Sequence, residues 1–168
     1  MRVLAMVLAC GLAGSAGAGC LAPGQLPTRV TFANGDVMDT IVRAGNHLKS
    51  VTHLDGGLTA THDEIWGLYP AEGGLDGYFE QFRWQHKDLP EPATLEIGKE
   101  VKLRARREAP GGSTPFVMLV TAVGREEIAV GKCRYDVLHL RSREGKPSHI
   151  NTVSDYWLDT DRLMVWAR

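Results

Sequence analysis

From Thr28 onward, turn-forming residues interrupt this chain so often that only short segments are left between them. Asn34-Gly35, Ala44-Gly-Asn46, Asp55-Gly-Gly57, Glu72-Gly-Gly-Leu-Asp-Gly77 and Pro110-Gly-Gly-Ser113 are the main breaks. Between them polar and apolar residues alternate with the period of a half-buried strand, as in Arg29-Val-Thr-Phe-Ala and Val37–Arg43. Such a chain has few ways to make a core. It predicts an all-β fold: a single antiparallel meander curled into a barrel, half-barrel or sandwich, with closure as one route to removing exposed strand edges.

Within that frame the C-terminal stretch from Gly124 to Arg168 reads as the sheet on which the rest folds. It runs through Ile128–Arg141, a polar Ser142–Ser148 turn, His149–Val153, Asp155-Tyr-Trp-Leu-Asp and a closing Leu163-Met-Val-Trp. Asn34-Gly35 predicts a two-residue type I′ hairpin with positive φ at both residues. Leu48–Leu54 and Leu58–His62 form a second hairpin, and Asp63–Pro70 a strand or strand end turning under the sheet. Glu72–Gly77 is loop by composition. Tyr78, Glu80, Phe82 and Trp84 share one face of a strand. In Leu95–Glu108 a four-residue recurrence of charge competes with alternation of Val101, Leu103 and Ala105 against Lys102, Arg104 and Arg106, and strand is the reading taken. Phe116–Val123, continuously apolar, suits a central strand buried on both faces.

The first eighteen residues read as a segment apart. Arg2 supplies a positive start, Val3–Leu12 an apolar core and Ala16-Gly-Ala18 a small-residue cleavage signal, the pattern of a secretory signal peptide. The expected organisation is a signal peptide over 1–18, a Pro/Gly-punctuated tether over 19–27 and one β-rich domain over 28–168. Cleavage after Ala18 would leave Cys20 and Cys133 in an oxidising compartment, where a Cys20–Cys133 disulfide is the expectation. The alternative reads Gly17-Ala-Gly-Cys20 as a lipobox, making Cys20 the acylated first residue of an envelope lipoprotein. Cys10 after Val7-Leu-Ala is a further lipobox-like site with a very short apolar region. Periplasmic or secreted location is preferred, and a membrane enters only if Cys20 is lipidated.

The tail carries a resemblance. Ile128-Ala-Val-Gly-Lys-Cys-Arg-Tyr-Asp-Val137, followed by a Gly-containing hairpin, Asp155-Tyr-Trp-Leu-Asp and Leu163-Met-Val, resembles bacterial secreted β-rich domains of unknown function that end in a Tyr-Trp hairpin. Asp161-Arg162 stands where those families often have a glycine turn. The resemblance covers the last quarter of the chain, implies a cell-envelope protein, and carries over no functional residue.

The residues that could carry chemistry form no catalytic or cofactor motif. The formal net charge is −1, which gives no field for nucleic acid, and the Arg104, Arg106, Arg107, Arg141 and Arg143 set has no interleaved aromatic; it reads as a solvated strand face balanced by Glu96, Glu100 and Glu108. His47, His53, His62, His139 and His149 have no metal spacing; the best constellation places His53 and His62 across the Asp55–Gly57 hairpin beside Asp63. Ser113, Ser148 and Ser154 lack a nucleophile context, and Asp155, Asp159 and Asp161 read as turn or surface carboxylates. The aromatic set Trp66, Tyr69, Tyr78, Phe82, Trp84, Tyr156, Trp157 and Trp166 is the candidate lining of an apolar pocket, weighed against a plain core role. The expected function is therefore a non-enzymatic exported cell-envelope binding or structural module, its partner an apolar small molecule or an envelope protein, with no cofactor and no metal. The alternative is a periplasmic carrier of a lipophilic ligand in a β half-barrel, and a hydrolase or metal-dependent enzyme ranks third.

Overall fold

The computed structural model describes residues 19–86 and 88–167; the signal peptide read over 1–18, with Cys10, and Lys87 at the start of the Pro-rich break lie outside them. Eleven strands form one antiparallel sheet in sequential order. They are β1 (Arg29–Thr31), β2 (Val37–Ala44), β3 (His47–His53), β4 (Thr59–Ile65), β5 (Tyr69–Leu75), β6 (Tyr78–Trp84), β7 (Glu100–Ala109), β8 (Gly112–Val130), β9 (Cys133–Lys146), β10 (His149–Asp159) and β11 (Met164–Ala167). The sheet is an open meander: β1 pairs with β2 and β11 with β10, and among the described residues neither end pairs with the other.

Local chemistry sets most of the boundaries and corrects four expectations. Asn34-Gly35 does not form a type I′ turn. Phe32 O accepts from Gly35 N at 3.0 Å, Phe32 N donates to Asp36 O at 2.8 Å, and of the two residues only Gly35 has positive φ, at 92°. This is a turn of three loop residues with glycine at the bulge position, and Asn34 instead caps it by accepting from Asp36 N. The stretch expected as loop over Glu72–Gly77 is strand as far as Leu75, the turn shrinking to Asp76-Gly77. Glycine is required inside that strand because a Cβ on Gly74 would lie 2.7 Å from Thr61 Oγ1 and 3.0 Å from the Phe79 ring. The polar Ser142–Ser148 segment is mostly strand, with only Pro147-Ser148 left between β9 and β10. Its polarity follows from exposure of alternate residues, which composition alone reads as loop. Conversely, Ile128–Arg141 is broken at Gly131-Lys132 into the ends of β8 and β9.

Two hydrophobic clusters hold the sheet. One joins Leu68, Tyr69, Leu103, Met118, Val120, Leu138, Leu140, Tyr156 and Leu158, with Leu89 and Leu95 of the β6–β7 connection packed on it. The other joins Val30, Met38 and Leu48 of the first strands to Val130, Tyr135, Val137, Leu163, Met164 and Trp166. Val137 and Leu138 are consecutive in β9, both buried, and belong to different clusters. Side chains alternate across a strand, so the two cores lie on opposite faces of the sheet. The first strands have thus rolled back onto the far side of the last ones. Arg43 Nη1 donates to the Asp161 carbonyl at 2.7 Å, and the β4–β5 turn at Trp66-Gly67 abuts Leu163.

The N-terminal lead-in is fixed to this second core. Cys20 and Cys133 form a disulfide with Cα atoms 5.4 Å apart. Leu21 and Leu26 pack on the cluster and Pro27 is buried. Arg162, itself buried, donates to the carbonyls of Leu21, Ala22 and Gln25 at 3.0, 2.6 and 3.0 Å. Its charge is met by Asp159 at 2.6 Å, while Asp159 also accepts from Trp166 Nε1 and the backbone N–H groups of Asp161 and Arg162. A buried guanidinium needs this many acceptors, so the lead-in carbonyls are part of the pair's solvation.

Candidate functional site

A concave feature lies on the face of the sheet that carries Tyr69, Leu103 and Leu138, here called the inner face, at the end of the sheet bounded by the β7–β8 and β9–β10 turns. Register builds it. Phe82, Arg107 and Thr114 are cross-strand neighbours on β6, β7 and β8, and Trp84, Ala105 and Phe116 form the next row on the same face. Aromatic rings interlock along these rows: Phe82 and Phe116 meet edge to face at 5.0 Å, Phe116 and Trp84 at 6.0 Å, and Trp84 and Tyr69 at 5.9 Å. The inner end of this ladder is core, where Tyr69 is buried and donates to Pro90 O at 2.9 Å. Burial pushes its phenol well above its ordinary range. At the outer end, Phe82 and Phe116 floor an open trough of about 570 Å³.

The trough is rimmed by ionic groups already engaged with the fold. Arg107 donates to Glu80 at 2.6 Å. Glu144 accepts from Ser142 Oγ at 2.6 Å and Tyr156 Oη at 3.0 Å. Lys146, His149, Asn151 and Thr152 complete the far wall. The arrangement offers an apolar floor under a mixed rim, in which Arg107 is paired with Glu80, Glu144 is held by hydroxyls, and Lys146 and His149 stand beside neutral polar side chains.

A second polar cluster lies on the outer face. His139 sits between Glu126 (Nδ1 to Oε1, 2.8 Å) and Asp155 (Nε2 to Oδ1, 2.9 Å), and stacks on Trp157 at 4.6 Å. Trp157 Nε1 donates to Glu126 at 2.9 Å, and Arg141 donates to Asp155 at 3.0 Å. The indole hydrogen bond, reinforced by the His139 hydrogen bond and charge, holds the Glu126 carboxyl below its usual range. At Asp155, desolvation pushes upward, but hydrogen bonds from His139 and Arg141 together with their charges outweigh it. This is an ionic and hydrogen-bonded network spread over the faces of β8, β9 and β10.

The one histidine constellation that the sequence offered, weighed there against ordinary surface histidines, does not assemble. His53 stands opposite Thr59 and contacts Asp39 at 3.3 Å, while His62 stands opposite Ser50. It is His47 whose Nδ1 meets Asp63 at 2.6 Å, with Lys49 on the other oxygen at 3.2 Å. The β3–β4 register slides the histidines past one another, which spacing along the chain does not reveal. Among the described residues no three His, Cys, Asp or Glu side chains come together as a metal ligand set. Of the arginine set, Arg107 pairs with Glu80, Arg141 with Asp155 and Arg143 with Glu100, while Arg106 donates to Ser113 Oγ.

The aromatic set is divided. Tyr69, Phe82, Trp84 and Tyr156 share the inner face, and Trp66 touches both clusters. Trp166 lies in the other core, stacked on Tyr135 at 4.9 Å. Trp157 is on the outer face with His139, and Tyr78 is exposed. Of the eight, Phe82 alone lines the trough; Phe116, its partner there, was hidden in an apolar run that reads as core. Asp159 and Arg162, read as turn residues, form a buried pair; the only signal was an arginine where a glycine turn would be common. No protein-family model matches the chain, no curated protein matches its sequence, and no solved structure matches it.

Proposed function

We propose that this protein is an exported, non-enzymatic binding module of the cell envelope that holds an amphiphilic small molecule in the inner-face trough. The observation that carries the reading is the trough itself: an aromatic floor of Phe82 and Phe116 beneath a rim of Arg107, Lys146 and His149. Its carboxylates are tied to neighbouring groups, an arrangement for recognition rather than proton transfer. The disulfide supports the exported setting, since such bonds persist in oxidising compartments. It also favours the soluble form over the lipoprotein, because a sulfur bonded to Cys133 cannot carry a thioether-linked lipid at Cys20.

The carrier reading rests on the same trough, with an acyl chain laid along Phe82 and Phe116. Deeper inner-face space is filled by the protein's own Leu89, Leu95 and Leu103, so cargo would be held at the mouth. Native mass spectrometry of protein purified from its own envelope tests both, alongside titration with a fluorescent amphiphile such as N-phenylnaphthylamine. Expected is probe binding that weakens at least about tenfold in a Phe82→Ala/Phe116→Ala variant that keeps its β circular-dichroism spectrum, a loss of about 1.4 kcal/mol. Absence of both co-purified mass and probe binding would overturn the proposal.

A further inference from the structure

The two outermost strands cover the sheet unequally at its C-terminal end. β10 is bonded to β9 from His149 to Leu158, but its other neighbour, β11, pairs only with Trp157–Asp159. Among the described residues no strand pairs with the far edge of His149–Asp155, and this stretch is exposed or half-buried throughout. An unpaired run of strand is a template for another strand, and proteins ordinarily guard such runs with Lys or Pro or by covering them. Here the residues are His-Ile-Asn-Thr-Val-Ser-Asp, with neither guard, and Val153 at the middle is 61% exposed. The β9–β10 bulge at Ile150–Thr152 bends one end of the edge and leaves Thr152–Asp155 regular.

The side chains say which strand fits. An antiparallel pair of β10 with itself, with the two-fold axis at Val153, sets Val153 against Val153, Thr152 against Ser154 and Asn151 against Asp155. Apolar meets apolar and hydroxyl meets hydroxyl at the centre of the regular stretch; Asn151, in the bulge, and Asp155, held on its own strand face by His139 and Arg141, flank it. The charged residue of the pairing segment is kept apart from its own copy, whereas an axis at Asp155 would oppose two carboxylates. Each contact is returned by its symmetry mate, the condition for a closed two-fold interface.

We propose that the protein is a homodimer in which two copies join β10 to β10 across Val153, fusing two sheets into one. The seam runs along the β10 wall of the trough, formed by His149, Asn151 and Thr152, so two troughs open side by side. The proposal does not depend on what the trough holds.

Light scattering coupled to size exclusion, on disulfide-intact protein at micromolar and higher concentrations, is the test. Expected is a twofold mass that falls to the monomer in Val153→Lys, which puts like charges on the axis, while the circular-dichroism spectrum is unchanged. Val153→Cys should crosslink to a dimer on mild oxidation, and Leu58→Cys, exposed on a remote turn, should not. A wild-type monomer at every concentration, as expected if the edge serves a strand of another protein, would overturn the proposal. So would Val153→Lys remaining dimeric, or equal crosslinking of the two cysteine variants.

Discussion

His139 illustrates how far a single residue's surroundings can be read as thermodynamics. It stacks on Trp157 and bridges Glu126 to Asp155, and both carboxyls are held below their ordinary values of 4.5 and 3.8. A carboxyl whose folded pKa is lowered contributes stability that is present above its unfolded pKa and is lost as pH falls through the folded one. Urea midpoints should therefore decline as pH drops below about 4. In a Glu126→Gln/Asp155→Asn variant that acid-side decline should be shallower; an unchanged slope would place the acid sensitivity elsewhere. Nothing in the spacing of these residues announces the cluster, since 126, 139 and 155 meet only through the β8–β9 and β9–β10 registers. The cysteine pair was legible for the opposite reason: among residues 19–168 there are two thiols, which leave one pairing.

At the scale of elements, the β4–β5 turn is the tightest joint. Trp66 and Gly67 both have positive φ, at 57° and 65°, and a Cβ on Gly67 would fall 1.7 Å from the Leu163 carbonyl oxygen. Gly45, at the β2–β3 turn, has a similar φ of 62° but open space around it. Gly45→Ala should cost about 1 kcal/mol of conformational strain. Gly67→Ala, adding a backbone collision at a contact between the two halves of the sheet, should cost more than about 3 kcal/mol. Equal midpoints for the two variants in thermal unfolding would show that the turn does not bear on Leu163 as described. Gly45 reads as a turn signal, whereas Gly67 lies in Asp63–Pro70, read as a strand or strand end; the structure turns there between β4 and β5, and the packing of Leu163 sets its tolerance apart from that of Gly45. The same limit applies to β5, where Gly73 and Gly74 look like loop until Phe79 is seen lying over Gly74.

For the whole molecule, the disulfide closes 113 residues of sequence separation. In the chain-entropy account it contributes on the order of 4–5 kcal/mol. Reduction, or a Cys20→Ser/Cys133→Ser double variant, should lower the unfolding free energy by about that amount and expose residues 19–27 to proteolysis. A midpoint indifferent to reductant would mean that Arg162 and the packed leucines hold the lead-in alone. The strand-rich meander, most strand positions and the Cys20–Cys133 bond were all legible beforehand, because alternation, turn chemistry and thiol pairing are carried by residues near in sequence or by few alternatives. The rolling of the first strands onto the far face, the burial of Asp159 with Arg162, the division of the aromatics between two cores and the trough at Phe82 and Phe116 were not. Those depend on twist and register accumulated over eleven strands, where a one-residue shift moves every side chain to the other face. Short-range pattern decides that a residue is in a strand, and only the assembled sheet decides what that strand faces.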